Sequence, residues 1–243
     1  MRYAIFSDVH GNLEALEAVL ARYEDLGVHE YVFLGDAVGY GANRDVVCTV
    51  IRALAKRAIL GNHDAAVCGK MDYEDYYEAA RHALEWCRHQ VKPDNVAWLK
   101  QLPYKLRADD VEFSHGAPEA PELFDYLFAS EQVGEMARAY PDLAPVTFIG
   151  HSHLTIAFRV TGTEATPVYG PEIHCEPGAK YVITVGSVGQ PRDRDPRACC
   201  GLYDTETRLF NYHRVPYDVL KARQKILDAG LAQVFADRLL VGM

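Results

Sequence analysis

The chain contains no run of about 18 consecutive apolar residues, so no membrane-crossing helix is expected. Its first residues, MRYAIFSDVHGN, lack a basic segment followed by an apolar stretch, which argues against a secretory leader and for a cytoplasmic location. Basic charge is scarce: 25 Lys and Arg stand against 34 Asp and Glu, for a formal net charge of -9. Proteins that grip a nucleic acid backbone normally carry a basic face, so nucleic acid is not an expected partner. The six cysteines form no CxxC pair, which disfavours a thiolate-held zinc or iron-sulfur site and leaves reduced thiols as the expected state. No GKS or GKT follows any glycine-rich stretch, so a P-loop is absent, and no Ser-His-Asp or Cys-His arrangement has a recognisable context. Repeats, low-complexity tracts and linkers are also missing, so residues 1–243 are expected to form a single domain.

What is present is the composition of a packed globule, 49% hydrophobic and 24% charged. Short apolar runs at residues 3–6, 31–34, 58–60, 111–113, 146–149 and 181–185 predict buried strands. Between the early runs, Leu13, Leu16, Val19 and Leu20 recur at helical spacing behind Asn12, a candidate cap. Val46, Val47, Val50, Ile51 and Leu54 repeat that pattern. Alternating strands and helices predict an α/β fold with a largely parallel sheet in the first half. Residues 71–103 become helical and aromatic (Tyr73, Tyr76, Tyr77, Trp86, Trp98), with Pro93 dividing two helices, and read as a short helical cap insertion. After Gly150, turn signals at Thr161-Gly162 and Pro177-Gly178 predict antiparallel pairing, and amphipathic helices are expected over 218–240.

One local grammar recurs five times: an apolar run ends in a small residue and metal-ligand types follow at once, as FSDVH, FLGD, ILGNHD, FSHG and FIGHSH. Groups at the carboxyl ends of neighbouring strands gather at one rim of a sheet, where α/β folds place their sites. In an extended chain, residues two apart share a side. That parity would let Asp8 and His10 share one ion, make His151 and His153 face one centre, and let Asn62 ligate while His63 turns toward a substrate oxygen. Asp36, with two carboxylate oxygens, is the natural bridge. Seven such groups overfill one tetrahedral ion, whereas two ions sharing Asp36 would each receive about four ligands. A single histidine after a strand is commonly a satisfied buried polar residue. A whole rim of unpaired carboxylates and imidazoles without a cation would be costly. Imidazole, carboxylate and amide donors without thiolate suit Mn, Fe, Zn, Ni or Co.

The spacing of DVH, GDAVGYG, GNHD, SHG and GHSH resembles the calcineurin-like metallophosphoesterases over almost the whole chain. The resemblance implies a four-layer α/β/β/α sandwich with a dinuclear site, and manganese is the expected metal. It assigns Asp8, His10, Asp36 and His153 to one ion, and Asp36, Asn62, His115 and His151 to the other. His63 matches the catalytic histidine near the leaving group, with Asp64 orienting it; Asn62, Tyr40 and Arg192 are the candidate substrate contacts. The segment GSVGQPRD is similar to the end of a small, phosphodiesterase-like bacterial branch. Phosphoprotein phosphatases and symmetrical dinucleoside tetraphosphatases carry Asp-Arg where this chain has Gly39-Tyr40, so the arginine that clamps phosphate there is missing, and Arg192 or Arg194 would have to supply a cation. The implied activity is hydrolysis of phosphodiester or phosphomonoester bonds in a small phosphorylated substrate by in-line attack of a hydroxide held between ions about 3.5 to 4 Å apart. The alternatives are a non-catalytic metal-binding scaffold of the same fold and a metal-dependent nuclease. The first typically lacks the catalytic histidine, and the second is disfavoured by the acidic charge.

Overall fold

Alternation along the strands sets the layers. In β1 (Arg2–Phe6), Tyr3 and Ile5 enter one buried cluster while Ala4 and Phe6 enter another, because successive side chains leave opposite faces of a strand. The computed structural model describes all residues 1–243. β1 pairs in parallel with β2 (Glu30–Phe33), and β2 with β3 (Arg57–Ala58). The other edge of β1 takes antiparallel β11 (Ala198–Asp204), then β12 (Leu209–Val215) and β9 (Glu172–His174), completing a six-stranded sheet. A second six-stranded sheet has the order β4 (Lys105–Ala108), β5 (Val111–Ser114), β6 (Val146–Ile149), β10 (Lys180–Thr184), β7 (Ala157–Thr161), β8 (Glu164–Val168). Its three central strands, β5, β6 and β10, are parallel.

Tyr3, Ile5, Val32, Phe113, Phe148, Ile183, Tyr203 and Phe210 fill the space between the sheets. The Phe148 ring lies 5.2 Å from Tyr203 and 5.1 Å from Phe210, joining the second sheet to the first. Helices α1 (Leu13–Glu24), α2 (Arg44–Leu54), α3 (Asn62–Cys68), α4 (Glu78–Gln90) and α5 (Pro93–Gln101) share a core with the outer face of the first sheet. Helix α6 (Ser130–Ala139) covers the second sheet through Val133, Met136 and Ala137. The layers therefore run helix, sheet, sheet, helix. Helices α7 (Val219–Asp228) and α8 (Gln233–Val241) pack together with Tyr40, Ala80 and Ala83.

Two expectations are revised by this architecture and one is met. The ligand rim belongs to two sheets, because β1, β2 and β3 lie in one while β5 and β6 lie in the other. The parallel pairing early in the chain and the antiparallel pairing after Gly150 are as expected, and in the first sheet the two join along β1 and β11. Thr161-Gly162 does turn the β7–β8 hairpin, but Pro177-Gly178 links β9 to β10 in different sheets and forms no hairpin. Within the 71–103 insertion, Leu84, Cys87, Leu99 and Leu102 enter the main core, whereas Met71, Asp75, Tyr76, Tyr77 and Ala80 face an open cleft. All six cysteines are buried and unpaired.

Candidate metal centre

Five loops at the carboxyl ends of parallel strands converge. Asp8 and His10 follow β1, Asp36 follows β2, Asn62 and His63 open α3 just beyond β3, His115 follows β5, and His151 and His153 follow β6. Backbone bonds knit these loops, with Asp8 N–H donating to Gly35 O (3.0 Å) and His10 N–H to Asp36 O (2.9 Å). The GSVGQ segment beyond β10 closes the ring, since Gly189 N–H and the Ser187 hydroxyl both donate to Asp8 O at 2.9 Å.

The local conformation is not the extended one that parity assumes. Asp8 (φ 55°), His10 (46°), Asp36 (63°), His151 (63°) and His153 (59°) are all left-handed, at a cost of about 1–3 kcal/mol each. Asn62 and His63 lie in the first turn of a helix, so helical rotation separates them instead of strand alternation. His151 and His153 diverge: His153 Nε2 is 3.2 Å from His10 Nε2, while the His151 ring stacks on Tyr126, 3.9 Å between centroids, and lies 5.0 Å from His115.

Hydrogen bonds behind the imidazoles decide what they present. His10 Nδ1 faces Val38 O (2.9 Å), His153 Nδ1 faces Gln190 O (2.6 Å) and His115 Nδ1 faces Leu34 O (2.6 Å). A carbonyl only accepts, so each Nδ1 carries a proton, and each ring, when neutral, turns a lone pair outward from Nε2. Two such lone pairs, from His10 and His153, meet at 3.2 Å, a repulsive arrangement that a cation would relieve. Between them and His115 lies Asp8 Oδ1, buried without a hydrogen-bond partner and 3.3, 3.7 and 4.0 Å from Nε2 of His153, His10 and His115. Asp36 Oδ2 stands 3.4 Å from His115 and 3.7 Å from His10. These donors fit a divalent cation.

The electrostatics match that donor set. Burial alone would raise the carboxyls of Asp8 and Asp36, but the facing imidazoles, His153 for the first and His115 for the second, outweigh it and hold both below the usual range. Burial lowers His10, His151 and His153, so these rings are neutral ligand-type groups at pH 7, and it brings His63 down to about 4, so that ring too is neutral there.

Asp64 does not orient His63. Its carboxylate accepts the backbone N–H groups of Asp36 (2.8 Å), Ala37 (2.9 Å) and Val38 (3.2 Å), fixing the loop that carries Asp36, while His63 Nδ1 has no hydrogen-bond partner. Gly39 explains part of this. At φ 132° its Cβ would lie 2.6 Å from His10 Nδ1 and 2.8 Å from His63 Nδ1, so no aspartate fits there. Tyr40 instead packs its ring 4.7 Å from both His10 and His63 and 4.6 Å from Phe235 on α8.

Beside the cluster opens a cleft of about 600 Å³ lined by Tyr40, Asn62, His63, His151 and Arg192. Arg194 is not among its lining residues. Sequence reading missed the other walls: Phe124 and Tyr126 from a loop without periodicity, Arg238 and Met243 near the C-terminus, and above all Tyr76, whose hydroxyl accepts the Asn62 Nδ2–H at 2.6 Å. The only signal for Tyr76 was its place in the aromatic 71–103 stretch.

A profile of the calcineurin-like phosphoesterase superfamily domain matches residues 1–208. An uncharacterized protein of Methanocaldococcus jannaschii is 36% identical over 245 residues, covering 98% of this chain and 97% of that one. A metallophosphoesterase from Sphaerobacter thermophilus superposes with a TM-score of 0.85 at 32% identity, covering 100% of this chain and 99% of its own. A hypothetical protein from Pyrococcus horikoshii OT3, 19% identical over 100% of this chain and 98% of its own, shares the fold at a TM-score of 0.77. With the profile spanning most of the sequence and a relative matched along its length, the chain belongs to the calcineurin-like phosphoesterase superfamily.

Proposed function

We propose that this metal-dependent phosphoesterase binds two divalent ions, manganese first among Mn, Fe, Zn, Ni and Co, and hydrolyses phosphodiesters in preference to phosphoproteins. The observation that carries the metal reading is the pair of imidazole lone pairs meeting beside an unpartnered buried carboxylate oxygen. Asp8, His10, Asp36 and His153 would hold one ion, and Asp36, Asn62, His115 and His151 the other. When bound, such ions act as Lewis acids on phosphoryl oxygens and lower the pKa of water.

The chain's own residues do the rest. Arg192, on the cleft wall with its guanidinium 5.9 Å from the Tyr40 ring centre, offers a cation to a phosphoryl oxygen. His63, which lines the same cleft and whose Nδ1 is free of protein partners, is neutral without substrate, so it would have to take up a proton beside the bound anionic ester before handing one to the leaving oxygen. Asp64 keeps the Asp36 loop in place from behind. Tyr77 and Leu123, half-exposed or more on the cleft wall, suit the second ester group of a diester, which a phosphoserine side chain lacks.

The test uses metal-stripped protein reloaded separately with each metal. Elemental analysis is expected to give about two equivalents per chain, and bis(4-nitrophenyl) phosphate is expected to turn over faster than a phosphopeptide at equal enzyme. A fully loaded preparation that stops at one equivalent would remove the second ion, and a clear preference for the phosphopeptide would remove the diester assignment. Ions bound without turnover of any ester would favour the scaffold.

A further inference from the structure

Asn62 is the one amide in the cluster, and its side chain can present the wrong atom. Its amide carries an oxygen and an NH2 on one carbon, and a half-turn exchanges them; only the oxygen has a lone pair for a cation. The carboxylates of Asp8 and Asp36 have no such ambiguity, and the backbone carbonyls behind His10, His115 and His153 remove it for those rings. Two groups meet the amide. In front stands His115 Nε2, 3.1 Å from Oδ1. To ligate an ion, His115, whose Nδ1 proton goes to Leu34 O, must be neutral with a lone pair at Nε2, and that lone pair would attract the NH2 and not the oxygen. Behind stands the Tyr76 hydroxyl, 2.6 Å from Nδ2, on the turn that precedes α4 and on the wall of the cleft. Asn62 is only 5% exposed, so little water is at hand to take the place of that hydroxyl.

From this juxtaposition we infer that Tyr76 is a positioning residue for the metal centre: by accepting the Asn62 N–H it holds the amide oxygen toward the cluster, leaving its own hydroxyl proton for an anion in the cleft. The inference rests on the reading that Asn62 helps hold a divalent ion. A hydroxyl that accepts from Asn62 is free to donate elsewhere, so an ion at Oδ1 and an oxyanion in the cleft favour the same arrangement of one hydrogen-bonded chain. Such coupling is reciprocal: phosphate should tighten metal binding by the factor by which metal tightens phosphate binding.

Calorimetric titration of the metal-stripped full chain with Mn²⁺, with and without inorganic phosphate, tests this. Tyr76→Phe is expected to weaken one class of Mn²⁺ site by about 10-fold to 100-fold, the usual effect of losing an outer partner of a ligand, and to diminish the tightening by phosphate. Tyr73→Phe serves as control, since it lies on the same turn but its hydroxyl accepts from Arg88 and it does not line the cleft. In the Asn62→Asp background either carboxylate oxygen faces the ion, so Tyr76→Phe is expected to cost little further Mn²⁺ affinity. Wild-type affinity in Tyr76→Phe, an equal loss in both backgrounds, or an undiminished phosphate effect would overturn the inference. A wild-type chain that binds no Mn²⁺ would overturn the proposed function together with it.

Discussion

His63 and Asn62 are neighbours in sequence, yet the helical turn that carries them gives them different work. Asn62 meets His115 and Tyr76, whereas the His63 ring stands edge-on to His10 at 4.8 Å with its Nδ1 unclaimed. If His63 donates a proton to the leaving oxygen, His63→Asn should keep its metal content but slow esters of poor leaving groups by about 100-fold. Loss on 4-nitrophenyl esters should be much smaller, because that leaving group hardly needs protonation. Equal slowing of both ester types with loss of an ion would make His63 a ligand instead. At this scale the sequence was informative about which residues gather, because each ligand type directly follows a short apolar run. It was uninformative about how they gather. The left-handed backbone at Asp8 or His151, the capture of Asp64 by three backbone N–H groups and the reach of Tyr76 to Asn62 all depend on segments brought together only by folding.

Strands whose both faces are buried were readable as continuous apolar runs, and β1, β2, β5, β6 and β10 fall where such runs predict them. The long β11–β12 pair was not located, since its residues mix Cys199, Cys200, Gly201, Asn211, His213 and Arg214 with only a few large apolar groups. Helix α6 escaped for a related reason: Val133, Met136 and Ala137 are its whole apolar stripe. Element packing makes its own prediction. Phe148 on β6 touches Phe113 within its sheet and Tyr203 and Phe210 across the interior, two residues upstream of the loop that carries His151. Phe148→Ala should lower unfolding stability by about 3–5 kcal/mol, read from urea denaturation. A loss below 1 kcal/mol would mean that the sheets close over the cavity.

For the molecule as a whole, the metal-free chain must balance its buried charges with protons. Burial alone would lower the pKa of His115, but the Asp36 carboxylate outweighs it and pushes the group up to about 9. An unfolded chain titrates its histidines near about 6.5. Between those values the folded, metal-free protein holds a proton that the unfolded chain has released, so this contribution is complete below about pH 6.5 and is lost as the pH rises through about 9. Urea midpoints of the stripped protein should fall over that window. Loaded protein, in which a cation replaces the proton on His115, should show no such fall. A stripped protein whose midpoint stays level or rises from pH 6.5 to 9 would exclude an imidazolium at His115.

Five left-handed non-glycine residues in one small region also mean that selection for activity and selection for durability pull against each other here. His151 exposes the conflict most cleanly. Its side chain makes no hydrogen bond, its φ is 63°, and its ring is held by stacking on Tyr126. A glycine relaxes at that dihedral without penalty. Stripped His151→Gly protein should therefore melt no lower than the stripped parent, although it binds metal more weakly and turns over ester more slowly. A marked drop in its melting temperature would show that the stacked ring contributes more than the backbone strain withholds. If the variant holds its stability, a lineage released from catalysis would be expected to drift toward glycine or asparagine at Asp8, His10, Asp36, His151 and His153 first, turning a hydrolase into a sturdier inert shell.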